Sequence, residues 1–204
     1  MGSYIVPSIL IVVVWAALYS HSKFVRLKRR IAFIRSYQWP PGLLNQLKHK
    51  HPTLKPEDMA SVSRGLRQFF IAHLMSGNKF VAMPSRIVDD LWHEFILYTR
   101  DYKEFCAKAF GRFMHHTPAV AMGSTDTRSI GAGLRRAWWF ACKDENFNPQ
   151  WPTRLPLLFA LDGQLRIPNG FRYDLDCAAL DKTGVTGVYC ATDFYVDWPD
   201  TCGD

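Results

Sequence analysis

The sequence predicts a mainly α protein: an N-terminal transmembrane helix, a helical globular domain, and an irregular C-terminal segment containing Pro, Gly and Cys. Three observations carry this reading. Ser3 to Ser22 contains no formally charged residue. Two later stretches, Met59 to Leu74 and Val88 to Cys106, repeat apolar residues at helical steps. From Asn146 onward, prolines at 149, 152, 156 and 168 cut the chain into short pieces. With 48% hydrophobic and 21% charged residues, the 204-residue chain can bury one sizeable core. The expected division is 1–22 anchor, 23–42 basic juxtamembrane segment and linker, 43–176 helical domain, and 177–204 irregular tail.

The first stretch holds the dense apolar run YIVPSILIVVVWAALY. At about 1.5 Å per residue, a helix of this length reaches across a hydrocarbon core of about 30 Å. Positive charge follows the run rather than preceding it, and Ala17-Leu18-Tyr19 is a poor cleavage site, so an anchor fits better than a cleaved signal peptide. The basic cluster predicts a single-pass topology with residues 23 onward facing the cytoplasm. Lys23 to Arg35 alternates basic with apolar residues, which suits contact between residues 1–35 and membrane lipid.

That same cluster accounts for the formal charge of +7. Six of the 25 basic residues lie in positions 1–35, which carry no acid, leaving 19 basic against 18 acidic groups in positions 36–204. The globular part is therefore nearly neutral, which weighs against nucleic acid as a partner.

Trp39-Pro40-Pro41-Gly42 breaks the first helix and reads as a linker, followed by a short helix over Leu43 to His49. Pro56-Glu57-Asp58 has the composition of a first helical turn, with acids facing the positive end of the dipole. Met59, Val62, Leu66, Phe69, Phe70, His73 and Leu74 continue that helix until Gly77-Asn78, and His73 on this apolar stripe reads as a satisfied core histidine. Ser85 then starts the central helix, with Asp89 and Asp90 in or near its first turn. Its apolar face runs through Val88, Leu91, Trp92, Phe95, Ile96, Tyr102, Phe105 and Cys106 to a break at Gly111. Beyond it, Ala119 to Thr125 reads as a small-residue loop, and Asp126 or Thr127 as the start of another helix carrying Ile130, Leu134 and Trp138. A helical turn or two is expected around Leu157 to Leu161, and a turn at Pro168-Asn169-Gly170.

The central stretch, Val88 to Pro118, is the densest in functional side chains. Residues four apart share a helix face, so Asp89 and His93 lie together, and the chain returning after Gly111 brings His115 and His116 as candidate partners. A carboxylate and two imidazoles on a rigid frame suit zinc or non-haem iron. The competing reading is a structural or interaction module, with a protein as its partner. In it Asp89 orients His93, Trp92 fills the core and the His pair bonds backbone carbonyls. This second reading takes precedence on the sequence, because polar residues on amphipathic helices are mostly satisfied structurally. G-x-S-x-G, P-loop and G-x-G-x-x-G signatures are absent. Five cysteines, an odd number, at 106, 142, 177, 190 and 202 in a cytoplasm-facing domain predict reduced thiols rather than a disulfide framework.

The motif V-D-x-L-W-H at 88–93, Tyr102, and F-G-R-F-x-H-H-x-P at 110–118 resemble the core of the glycine-rich domain-containing protein-like family. LPLLFALD and IPNGFRYDLDC resemble the continuation in bacterial relatives. The resemblance covers roughly Leu66 to Cys190 and implies a domain assignment rather than an activity. The chain departs from that family in having no long glycine-rich tract.

Overall fold

A computed structural model of the chain describes residues 5–116, 127–175 and 188–194. The expected loop at 119–125 and most of the expected tail, with Cys177 and Cys202, lie outside the described residues. Among the described residues the fold is mainly α. In chain order it comprises α1 (Ile5–Ser36), α2 (Leu43–Lys50), α3 (Pro56–Met75), α4 (Arg86–Leu97), α5 (Thr99–Phe110), α6 (Thr127–Asp144) and α7 (Leu157–Gln164). Two short strands, β1 (Arg172–Asp174) and β2 (Val188–Cys190), pair in parallel with Tyr173 opposite Tyr189, and a 3₁₀ turn follows at Ala191–Phe194.

The core is built around α3, which packs against α1, α4, α6 and α7. Val62, Leu66, Phe69, Phe70 and Ile71 are buried along it, so it is apolar on more than one side, as a central helix must be. Gly65 makes the closest approach possible: a Cβ there would meet Leu161 Cδ1 at 2.5 Å and Val88 Cγ2 at 3.0 Å. Lys55 N–H donates to Asp58 Oδ2 at 2.8 Å and Pro56 opens the helix, as the first-turn composition implies.

Helix α1 changes character along its length. From Leu10 to Tyr19 its large apolar side chains are exposed, and its most apolar 18-residue window has a mean hydropathy of 1.3 with none of it buried. It is one helix long and apolar enough to cross a membrane. Its last turns instead join the domain: Ile34 is fully buried, Leu27, Ile31 and Phe33 pack on the core, and Arg35 pairs with Asp144 at 2.5 Å.

The stretch expected as a linker is packed rather than free. Trp39 Nε1–H donates to Ser63 Oγ at 2.6 Å, its ring meets Phe95 at 5.2 Å, and the Arg67 guanidinium lies 4.7 Å above it. Arg67 also donates to the Tyr37 carbonyl at 2.8 Å. Pro and Gly end α1 here, but a tryptophan beside them has a core to enter.

The single central helix expected from Val88 to Phe110 is two helices, α4 and α5. Tyr98, at φ −78° and ψ 62°, leaves the helical region, and its N–H bonds back to the Phe95 carbonyl at 3.1 Å. The next helix starts at once, with Tyr102 N–H on the Tyr98 carbonyl at 2.8 Å. The break lets Tyr102, Phe105 and Cys106 enter the same core as Leu91, Trp92 and Phe95.

Cys106 and Cys142 are buried free thiols, and burial is the main cause pushing both thiols above the usual range. Cys190 corrects the expectation of reduced cysteines throughout. It is disulfide-bonded.

Candidate metal centre

Helix α4 presents Asp89 and His93 one turn apart, and its own placement depends on a series of caps between helices. Glu145 Oε1 accepts the Leu157 N–H at 2.6 Å and Gln68 Oε1 accepts the Leu158 N–H at 3.0 Å, which satisfies the start of α7. Asp162 near the end of α7 then caps α4. Its carboxylate accepts from the Ser85 hydroxyl at 2.7 Å, the Arg86 N–H at 2.7 Å, the Ile87 N–H at 3.2 Å and the Phe171 N–H at 2.8 Å. A buried carboxylate is tolerated because these donors replace its water and because it lies at the positive end of a helix. Ser85 caps the same helix in cis, accepting the Val88 N–H at 3.4 Å, as its sequence position predicts.

The returning chain is aimed by a second device. Gly111, at φ 76°, turns the backbone after α5. Tyr102 O–H then donates to the Met114 carbonyl at 2.7 Å while accepting the Trp92 Nε1–H at 3.2 Å, and all three residues are buried. Burial drives the Tyr102 phenol upward, so it remains a donor across the working pH range. Met114 fixed in this way leaves His116 two residues on, beside α4.

Three of the four residues expected in a metal site come together. His116 Nε2 is 3.0 Å from Asp89 Oδ1, and His93 Nδ1 is 3.8 Å from Asp89 Oδ2. The two imidazole rings are 4.3 Å apart between centroids, and the Trp92 ring is 4.4 Å from that of His116. One donor atom from each of Asp89, His93 and His116 lies within 4.8 Å of the others. Donors about 2.1 Å from a tetrahedral zinc ion stand about 3.4 Å from each other. The observed spread brackets that separation, from 3.0 Å to within 4.8 Å. His115 does not join them; it is exposed and its ring packs on Phe113 at 4.9 Å.

Asp90, adjacent in sequence, points to different partners. Burial raises its carboxyl pKa, but hydrogen bonds from Lys50 at 2.6 Å and His51 at 2.8 Å outweigh burial and hold it below the ordinary range. His73 is buried with its ring edge-on to Phe110 at 5.0 Å. It is only partly satisfied: the ring is hydrogen-bonded to the Lys79 backbone, while Nδ1 has no partner among the described residues. Burial, with the Arg112 charge adding to it, lowers its pKa to about 4, so it is neutral near pH 7.

The three candidate ligands sit on the wall of a cleft of about 830 Å³, also lined by Arg86, Arg112 and several aromatic rings. Sequence reasoning missed Asp162, Arg86 and Arg112. For Asp162 a signal existed, a lone acid inside the apolar run LPLLFALD; for the two arginines none did.

No curated protein and no solved structure matches the chain. A family model does match, over residues 29–194, from the last turns of α1 to the end of the 3₁₀ turn. It corrects the expected kinship with the glycine-rich domain-containing protein-like family, whose motif likeness at 88–118 does not extend to a match. By this coverage the chain belongs to the UCP032817-like family.

Proposed function

We propose that this chain is a membrane-anchored helical domain that binds one divalent transition-metal ion, zinc or iron(II), through Asp89, His93 and His116. The observation that carries this reading is the convergence of three donor atoms within 4.8 Å on the wall of a cleft. The structural reading required Asp89 to orient His93 and the His115–His116 pair to bond backbone carbonyls. His116 instead lies 3.0 Å from Asp89, with the rings of His93 and Trp92 in contact with it, an arrangement suited to a shared cation. A bound ion with three protein ligands keeps open positions and supplies Lewis acidity to whatever the cleft admits.

Elemental analysis of the full chain, purified untagged in detergent, tests this. Wild type is expected to carry about one metal per chain, and His93→Ala and His116→Ala to lose it while keeping their helical content. A metal-free wild type, or full occupancy in both variants, overturns the reading.

The anchor is α1, with the domain on the cytoplasmic side as the basic cluster after the apolar run favours. A lipid surface is then the first partner of residues 1–35. One observation favours the opposite side: the Cys190 disulfide, a bond typical of oxidising compartments. A C-terminal reporter active only in the cytoplasm decides, and a silent reporter beside an active one for the other side reverses the orientation.

A further inference from the structure

We propose that the cleft beside the Asp89–His93–His116 group binds a small organic anion, its charged head held by Arg86 and Arg112 with the metal, and its carbon body laid against the aromatic wall. The inference deepens the metal reading and rests on it only for the part of the head group that the ion would hold. Its basis is the charge left facing the cleft. Four formally charged side chains of the described residues line it: Arg86, Arg112, Asp89 and Asp90. Asp90 is already neutralised by Lys50 at 2.6 Å and His51 at 2.8 Å. Asp89 is committed to the two histidines.

The arginines have no such commitment. Arg112 donates to the Asn78 carbonyl, a neutral acceptor, and neither Arg86 nor Arg112 has a carboxylate partner among the described residues. Arg86 stands one turn before Asp89 on the same face of α4, so its guanidinium is carried on the element that carries two of the metal ligands. With a divalent ion bound, two guanidinium groups and one carboxylate leave a strongly positive cleft, which selects an anion and rejects a cation. A planar guanidinium suits a carboxylate or phosphate head.

The wall explains the body of the ligand. Phe80, Phe113 and Tyr189 line the cleft and are 37%, 46% and 43% exposed, a group of large rings left in water around one opening. Aromatic surface gathered in a concave site is covered when an apolar body enters.

Phenylphosphonate, methylphosphonate and benzylamine are the probes, titrated into metal-loaded and chelator-treated full chain in detergent by calorimetry. Phenylphosphonate is expected to bind at least tenfold tighter than methylphosphonate and than benzylamine. The Arg86→Gln/Arg112→Gln double variant, still carrying its metal, is expected to lose at least tenfold for phenylphosphonate and nothing for benzylamine. Binding that survives chelation but falls in the arginine variant supports the anion site while removing the metal from it. A metal-loaded protein that binds none of the three probes, or binds benzylamine as tightly as phenylphosphonate, overturns the proposal and leaves the metal reading in place. An unchanged affinity in the arginine variant also overturns it.

Discussion

Tyr102→Phe removes one oxygen from the interior and keeps the ring, so its effects report what that oxygen does. The hydroxyl donates to the Met114 carbonyl at 2.7 Å and accepts from Trp92 Nε1 at 3.2 Å. The substitution leaves a buried carbonyl and a buried indole N–H unpaired, each costing about 1–3 kcal/mol. The shorter bond is assigned about 2 kcal/mol and the longer about 1, a loss of about 3 kcal/mol, or about 6–12 °C in melting temperature for a domain of this size. Met114 also fixes the backbone two residues before His116, so metal affinity is expected to fall by about 10- to 100-fold, as for loss of a supporting contact to a metal ligand. Denaturant titration gives the first quantity and chelator competition the second. A destabilised variant with unchanged metal affinity would refute the claim that Tyr102 aims His116, and an unchanged stability would refute the hydrogen-bond assignment itself.

Three further outcomes follow from the same geometry. Because the folded-state pKa of His73 is depressed to about 4 from 6.5, the folded protein holds this ring neutral while the unfolded chain protonates it. The stability is present above pH 6.5 and is lost as pH falls towards 4, by about 3 kcal/mol, and His73→Phe should flatten this part of the wild-type pH profile. A fragment beginning at Leu43 discards buried Ile34 and the packed Trp39, a loss of several kcal/mol at about 1.5–3 kcal/mol per large apolar side chain. It should unfold or aggregate where a fragment beginning at Ser22 is soluble and helical, and equal stability of the two would show that α1 adds nothing to the domain. In thiol labelling of the native chain Cys106 and Cys142 should react only after denaturation, and Cys190 only after reduction; labelling of native Cys106 would contradict its burial.

The helices were legible because burial enforces a period, and the period survives in α3 and in the two halves of the central stretch. What the period hides is a change of axis. Phe95 and Tyr102 both satisfy a helical pattern whether or not the helix bends between them, so Tyr98 left no apolar signature; the polar pair Thr99 and Asp101, suited to a first turn, was the available mark. Asp89 and His93 could be paired from spacing alone, since their relation is local. His116 could be proposed but not separated from His115, because adjacent residues point apart and the choice depends on a buried tyrosine 14 positions upstream of His116. Trp39 shows the limit of composition: Pro-Pro-Gly predicts where a helix stops, not whether the next side chain finds a core. The disulfide at Cys190 escaped a parity argument that rested on compartment rather than on neighbours.

Helix α1 runs without interruption from its exposed apolar turns to Ile34 in the core. Anchored as proposed, the domain has no swivel. The 14 residues from Lys23 to Ser36 span about 21 Å of rigid helix, so the cleft would ride at a set height above the headgroups instead of sweeping a volume on a tether. Any tilt of the anchor, set by bilayer thickness, becomes a rotation of the whole domain about the membrane surface. Only partners within that shell can be met, and lipid composition becomes a means of orienting the cleft.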